Sequence, residues 1–162
     1  MIEAWAAAPF QARIALLALG VALAVSVVTD LRERRILNAV TYPALLLSVG
    51  CVAWLGGVSL LLEAVLGALV CAVPLAVATW RGWMGAGDVK LMALAGLTAG
   101  AAAGWPFALT VLADVAVAGG IQALLLIAAA RVRGRPRPRA VPYALAIAAG
   151  VIWAFGSGTA LF

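Results

Sequence analysis

Apolar residues run along this chain in stretches near 20 residues long, separated by short polar breaks. A stretch of that length matches a helix crossing a hydrocarbon core of about 30 Å. The pattern predicts six such helices, at about Phe10 to Thr29, Ala39 to Leu55, Leu60 to Trp80, Asp88 to Ala103, Phe107 to Ala130 and Val141 to Leu161. The expected fold is therefore an all-α membrane protein, a bundle of six transmembrane helices forming a single domain over residues 1–162. The fourth stretch is short for a span and is expected to start or end in the interface. The first has its basic residues after the apolar run, the reverse of a secretory signal, and counts as a helix.

Composition excludes the soluble alternative. Hydrophobic residues make up 67% of the chain and charged residues 10%, against about 25% charged in soluble domains. The longest polar stretch, Arg131 to Arg139, is nine residues, too short to fold by itself. There is no histidine, and the two cysteines, Cys51 and Cys71, lie inside apolar runs without metal-ligand spacing. No metal and no cofactor is expected, and both thiols read as small buried hydrophobes.

Charge then orients the bundle. Arg32, Arg34 and Arg35 follow the first span, Arg81 and Lys90 bracket the break after the third, and Arg131, Arg133, Arg135, Arg137 and Arg139 follow the fifth, which is ten of the 11 basic residues. With six helices all three breaks fall on one side. By the positive-inside rule that side is the cytoplasm, and both termini lie outside. The opposite breaks, Gly56 to Ser59 and Gly104 to Pro106, carry no charge. The net charge of +5 is concentrated in a Pro-interleaved juxtamembrane loop, so anionic lipid, and not nucleic acid, is the expected partner. Tryptophans at 5, 54, 80, 83 and 105 fall near span ends, as an aromatic belt would.

An acid near a bilayer is kept where water, a partner or a function offsets its desolvation. Asp30 closes the first helix and Asp88 opens the fourth, and the intervening hairpin returns the chain to the same side. Taken alone, Asp88 reads as an N-cap and Asp30 as a solvated loop residue. Gly85 and Gly87 shift the balance, because two glycines allow tight turns and leave room beside the carboxylate for an extended peptide. Lys90 is two residues from Asp88, about 200° around a helix, and should face away toward headgroups or a neighbouring loop. Arg32 lies two residues from Asp30 in what reads as a loop and could act on one of the acids, and Asn38 reads as the N-cap of the second helix. Asp114 and Glu63 sit in the outer halves of their spans. They favour a structural role but keep open an alternative, a small proton-coupled transporter or channel running through them. Gly119-Gly120 fits close helix packing.

Three segments taken together, Asp30-Leu31-Arg32-Glu33-Arg34-Arg35-Ile36-Leu37-Asn38, Gly85-Ala86-Gly87-Asp88-Val89-Lys90-Leu91 and Val141-Pro142-Tyr143-Ala144-Leu145-Ala146-Ile147-Ala148-Ala149-Gly150, resemble the prepilin peptidase family of GxGD intramembrane aspartic proteases. Leu37 stands where that family usually has proline, so the turn into the second helix lacks a residue that pre-sets φ. The resemblance implies that Asp30 and Asp88 are the catalytic pair, with Gly85, Gly87, Lys90, Arg32 and Asn38 as motif support. It implies an aspartic endopeptidase of the bacterial plasma (inner) membrane, with its active site at the cytoplasmic face, removing the basic leader of a type IV prepilin. The length is similar to the short, peptidase-only members found with Flp-type, tight-adherence pili, without the Cys-x-x-Cys methyltransferase module. Two carboxylates suit the chemistry, since one ionised and one protonated group can activate water and polarise the scissile carbonyl, and like charges close together share one proton. Which acid is the base stays open at this point.

Overall fold

The computed structural model describes residues 10–134 and 142–157 of the chain, without the side chain of Gln11. Five helices follow one another among them: α1 (Phe10–Glu33), α2 (Asn38–Trp80), α3 (Ala86–Ala103), α4 (Trp105–Val132) and α5 (Tyr143–Ser157). The expectations for Trp5, for Arg135, Arg137 and Arg139, for the outer ends of the sixth stretch and for both termini fall outside the described residues.

Two of the six expected helices are joined in α2. As one straight rod its 43 residues would reach about 65 Å. Yet Asn38 at its start is hydrogen-bonded to Lys90, just beyond its end in sequence (2.8 Å). The helix doubles back at Gly57, whose φ of 71° and ψ of −176° are non-helical. That combination is essentially restricted to glycine, and it falls in the uncharged break read from the sequence. The start and end of α2 thus lie at one end of the bundle, together with the last turn of α1 and the first turn of α3. Glu63 and Trp105, joined by a hydrogen bond of 2.8 Å, lie near the reversal at the other end.

α3 is the centre of the molecule, with Leu91, Met92 and every residue from Leu94 to Ala101 buried. It runs antiparallel to the second arm of α2 at backbone contact. A Cβ on Gly67 would collide with Gly96 O, and one on Gly100 with Glu63 O, so glycine lets the two axes approach as side chains would not. Around this pair, Leu19 of α1, Val111 and Val115 of α4 and Ile147 and Val151 of α5 close the core. Phe107 meets Phe155 edge to face at 5.1 Å between ring centroids, a favoured aromatic geometry. Cys71 is buried, Cys51 half-buried, and both are free thiols.

The outward surface is apolar, with Leu46, Trp54, Val58, Leu62, Leu124 and Trp153 exposed. Among the described residues three helices are long and apolar enough to cross a membrane: α1 over Ala12–Glu33, α2 and α4. α3, with Asp88 and Lys90 in its first turns, is not among them, and the described part of α5 is a shorter apolar helix. Several boundaries move. α1 continues a full turn past Thr29, so Asp30 and Arg32 are helical and not in a loop. The N-cap of α2 is Leu37, not Asn38, and that of α3 is Gly85, not Asp88.

Candidate active site

Asp30 occupies the last turn of α1. The helix ends where Arg34 turns left-handed (φ 54°) and donates its N–H to Asp30 O at 3.0 Å, a helix stop that favours glycine but is here made by arginine. The chain then reverses into residues 34–37, and Ile36 drops into a notch on α3. A Cβ on Gly87 would lie 2.7 Å from Ile36 Cβ. Gly87 therefore makes room for Ile36 and not for an approaching peptide, which corrects the reading of that glycine. Gly85 is extended (φ −82°, ψ 148°), a conformation open to any residue.

Asp88 sits in the first turn of α3. Its backbone N–H bonds Gly85 O (3.1 Å), while Gly85 N–H donates to Asp88 Oδ2 (3.2 Å). This is the reach-back half of a capping box, by which an acid at the third helical position satisfies an orphan amide. The second carboxylate is held from elsewhere in the chain, for Ala144 N–H, in the first turn of α5, donates to Asp30 Oδ2 at 3.0 Å. Both aspartates are only 9% exposed. The charge of Asp30 acts on Asp88. Desolvation and a like charge both favour the protonated carboxyl, and a bond from N–H favours the ionised one.

Tyr143, beside Ala144, completes the enclosure. The charge of Asp88 reaches its phenol. Its ring lies against Gly119 of α4, where a Cβ would come within 2.8 Å of Cε2. Gly120 has open space beside it, so close packing belongs to Gly119 alone of that pair. Gln122 Nε2 donates to Pro142 O (2.9 Å).

The other predicted residues divide. Lys90 Nζ turns away from Asp88 to Asn38 Oδ1 (2.8 Å) and lies 4.6 Å from the centroid of the Tyr42 ring, a cation–π distance. Asn38, expected as an N-cap, instead joins the start of α2 to α3. Arg32 is exposed and, two helical residues from Asp30, points to the opposite side of α1. The expectation that it acts on the acids does not hold in this geometry. Glu63 Oε2 accepts the N–H of Trp105 (2.8 Å), satisfying the start of α4. Asp114 Oδ2 is buried with no hydrogen-bond partner. Among the described residues no group of three His, Cys, Asp or Glu side chains is arranged to hold a metal.

Sequence reasoning does not mark Tyr143, Ala144, Gly119 or Gln122 as site residues. The Val141-Pro142-Tyr143 segment is the available signal, but what reaches Asp30 from its neighbour Ala144 is a backbone amide, which no residue type announces. Comparison with known families gives a match to the type IV leader peptidase family over residues 17–155. No curated protein and no solved structure gives a significant match.

Proposed function

The chain belongs to the type IV leader peptidase family, and from that premise we propose that it is a membrane aspartic endopeptidase in which Asp30 and Asp88 jointly activate water. The observation that carries the reading is the convergence of two buried, charge-coupled aspartates, one from the last turn of α1 and one from the first turn of α3. In the proposed reaction the ionised member takes a proton from water as its oxygen attacks the scissile carbonyl carbon. The protonated member donates to the carbonyl oxygen. The tetrahedral species then collapses, the C–N bond breaks, the departing nitrogen takes up a proton, and the pair again holds one. The Ala144 N–H holds Asp30 Oδ2 and the Gly85 N–H holds Asp88 Oδ2.

The substrate is a type IV prepilin of the Flp-like class, with a short basic leader ahead of an apolar helix. Counting both arms of α2, the chain makes six passes of the bacterial inner membrane, with the pair at the cytoplasmic face and the arginines after α4 against anionic lipid. Incubation of the purified chain with a prepilin, followed by mass determination of the product, tests the reading. Loss of the leader is expected, and an intact substrate at full enzyme concentration overturns it. A second reading, a proton-coupled transporter or channel through Asp114 and Glu63, draws on the partnerless Asp114 oxygen. Glu63 is engaged by Trp105, which weakens that path. Proton flux into liposomes that Asp114→Asn abolishes would favour transport.

A further inference from the structure

A carboxylate held by a backbone amide is only as well placed as the turn that carries the amide. Ala144, whose N–H holds Asp30 Oδ2, belongs to the first turn of α5, and α4 grips that turn at two points. Gln122 Nε2 donates to Pro142 O at 2.9 Å. Gly119, three residues earlier and on the same face of α4, leaves the space filled by the Tyr143 ring, where a Cβ would lie 2.8 Å from Cε2 and 2.9 Å from the phenol oxygen. The linkage runs from an α4 side chain and an α4 notch, through consecutive residues 142–144, to Asp30.

The orientation of Gln122 bears on its purpose. Its Oε1 is buried without a partner, and an unsatisfied buried acceptor is unfavourable. Turning the amide over would set that oxygen against the Pro142 carbonyl, acceptor against acceptor, so the bond to Pro142 dictates the orientation. An apolar side chain of similar length would avoid the cost and leave the carbonyl unanchored.

We propose that Gln122 and Gly119 are positioning residues for peptide cleavage, seating Pro142 and Tyr143 so that the Ala144 N–H fixes the Asp30 carboxylate. The proposal rests on the assignment of Asp30 to the water-activating pair. The Tyr143 phenol, which feels the charge of Asp88, extends the influence of the same seat to the second acid. Oriented catalysis is sensitive to such support, and a displacement near 1 Å costs on the order of 100-fold in rate.

The test uses the full chain in liposomes, cleaving a prepilin with a basic leader. Gln122→Met removes the donor at similar volume. Gly119→Ala displaces the outer edge of a ring that can swing aside, so it perturbs placement more than folding. Each is expected to lower kcat by roughly tenfold to 100-fold with KM within about twofold, because the support acts on the reacting carboxylate and not on substrate binding. Tyr143→Ala empties the seat, so adding Gly119→Ala to it should change nothing further, whereas independent structural effects would add. This Gly119–Tyr143 cycle decides the matter even where Gln122→Met fails to fold. Full kcat in Gly119→Ala, or additivity in the cycle, with Asp30→Asn inactive, overturns the seat and leaves the peptidase reading standing. Cleavage by Asp30→Asn at the unmodified rate overturns both.

Discussion

At the scale of single residues, the two aspartates differ in how they are held, and the difference makes distinct expectations. Asp30→Asn and Asp88→Asn should each abolish cleavage, and the double substitution should be hardly worse than either, since members of one catalytic unit are not additive. Cleavage assays on the three variants, with the folded fraction measured beside them, would check this. Lys90→Ala should reduce activity less than either aspartate substitution, because Lys90 joins α3 to Asn38 and does not face Asp88.

At the scale of elements, Gly57 and the glycines of the α2–α3 seam carry the architecture. Gly57→Ala places a Cβ in a conformation that L residues rarely adopt and should cost on the order of 1 to 3 kcal/mol, measurable as a lower melting temperature in detergent. Gly96→Leu, which would drive a side chain into Gly67 O and Cys71 Cβ, should abolish folding outright. Much of this level was legible in the sequence. The uncharged break at Gly56 to Ser59 contains the observed reversal, and the apolar runs locate the helices to within a few residues. The errors have physical causes. Asn38 and Asp88 both have N-cap chemistry, but Lys90 captures the Asn38 side chain, and Asp88 reaches back from the third position of its helix. Gly87 looked like access for a peptide because a gap is visible in sequence while its occupant, Ile36, lies 51 residues earlier. The contact of Asp30 with Ala144 spans 114 residues and uses a main-chain donor, so no local pattern could disclose it.

At the scale of the whole molecule, the reversal within α2 gathers Asp30, Asp88, Lys90 and Tyr143 at one end and leaves Glu63 and Trp105 at the other. In the proposed orientation the first end is cytoplasmic. A single cysteine introduced at residue 135, in a background lacking Cys51 and Cys71, should therefore be labelled by an impermeant thiol reagent only after the inner membrane is opened. Labelling in intact spheroplasts would reverse the assignment of sides.

The burial of α3 on nearly every face bears on how the chain is made. A helix that opens with an aspartate and a lysine and whose surface is mostly alanine and glycine offers lipid little reason to accept it on its own. It is synthesised directly after the arm of α2 whose Gly67 receives Gly96, so its partner is already present when it leaves the ribosome. Insertion of α3 should then be a docking event and not a partitioning event. A bulky residue at position 67 is expected to leave α3 stranded on the side of synthesis, and glycosylation-acceptor sites placed after Ala103 in a microsomal translation system would record that failure as a missing modification.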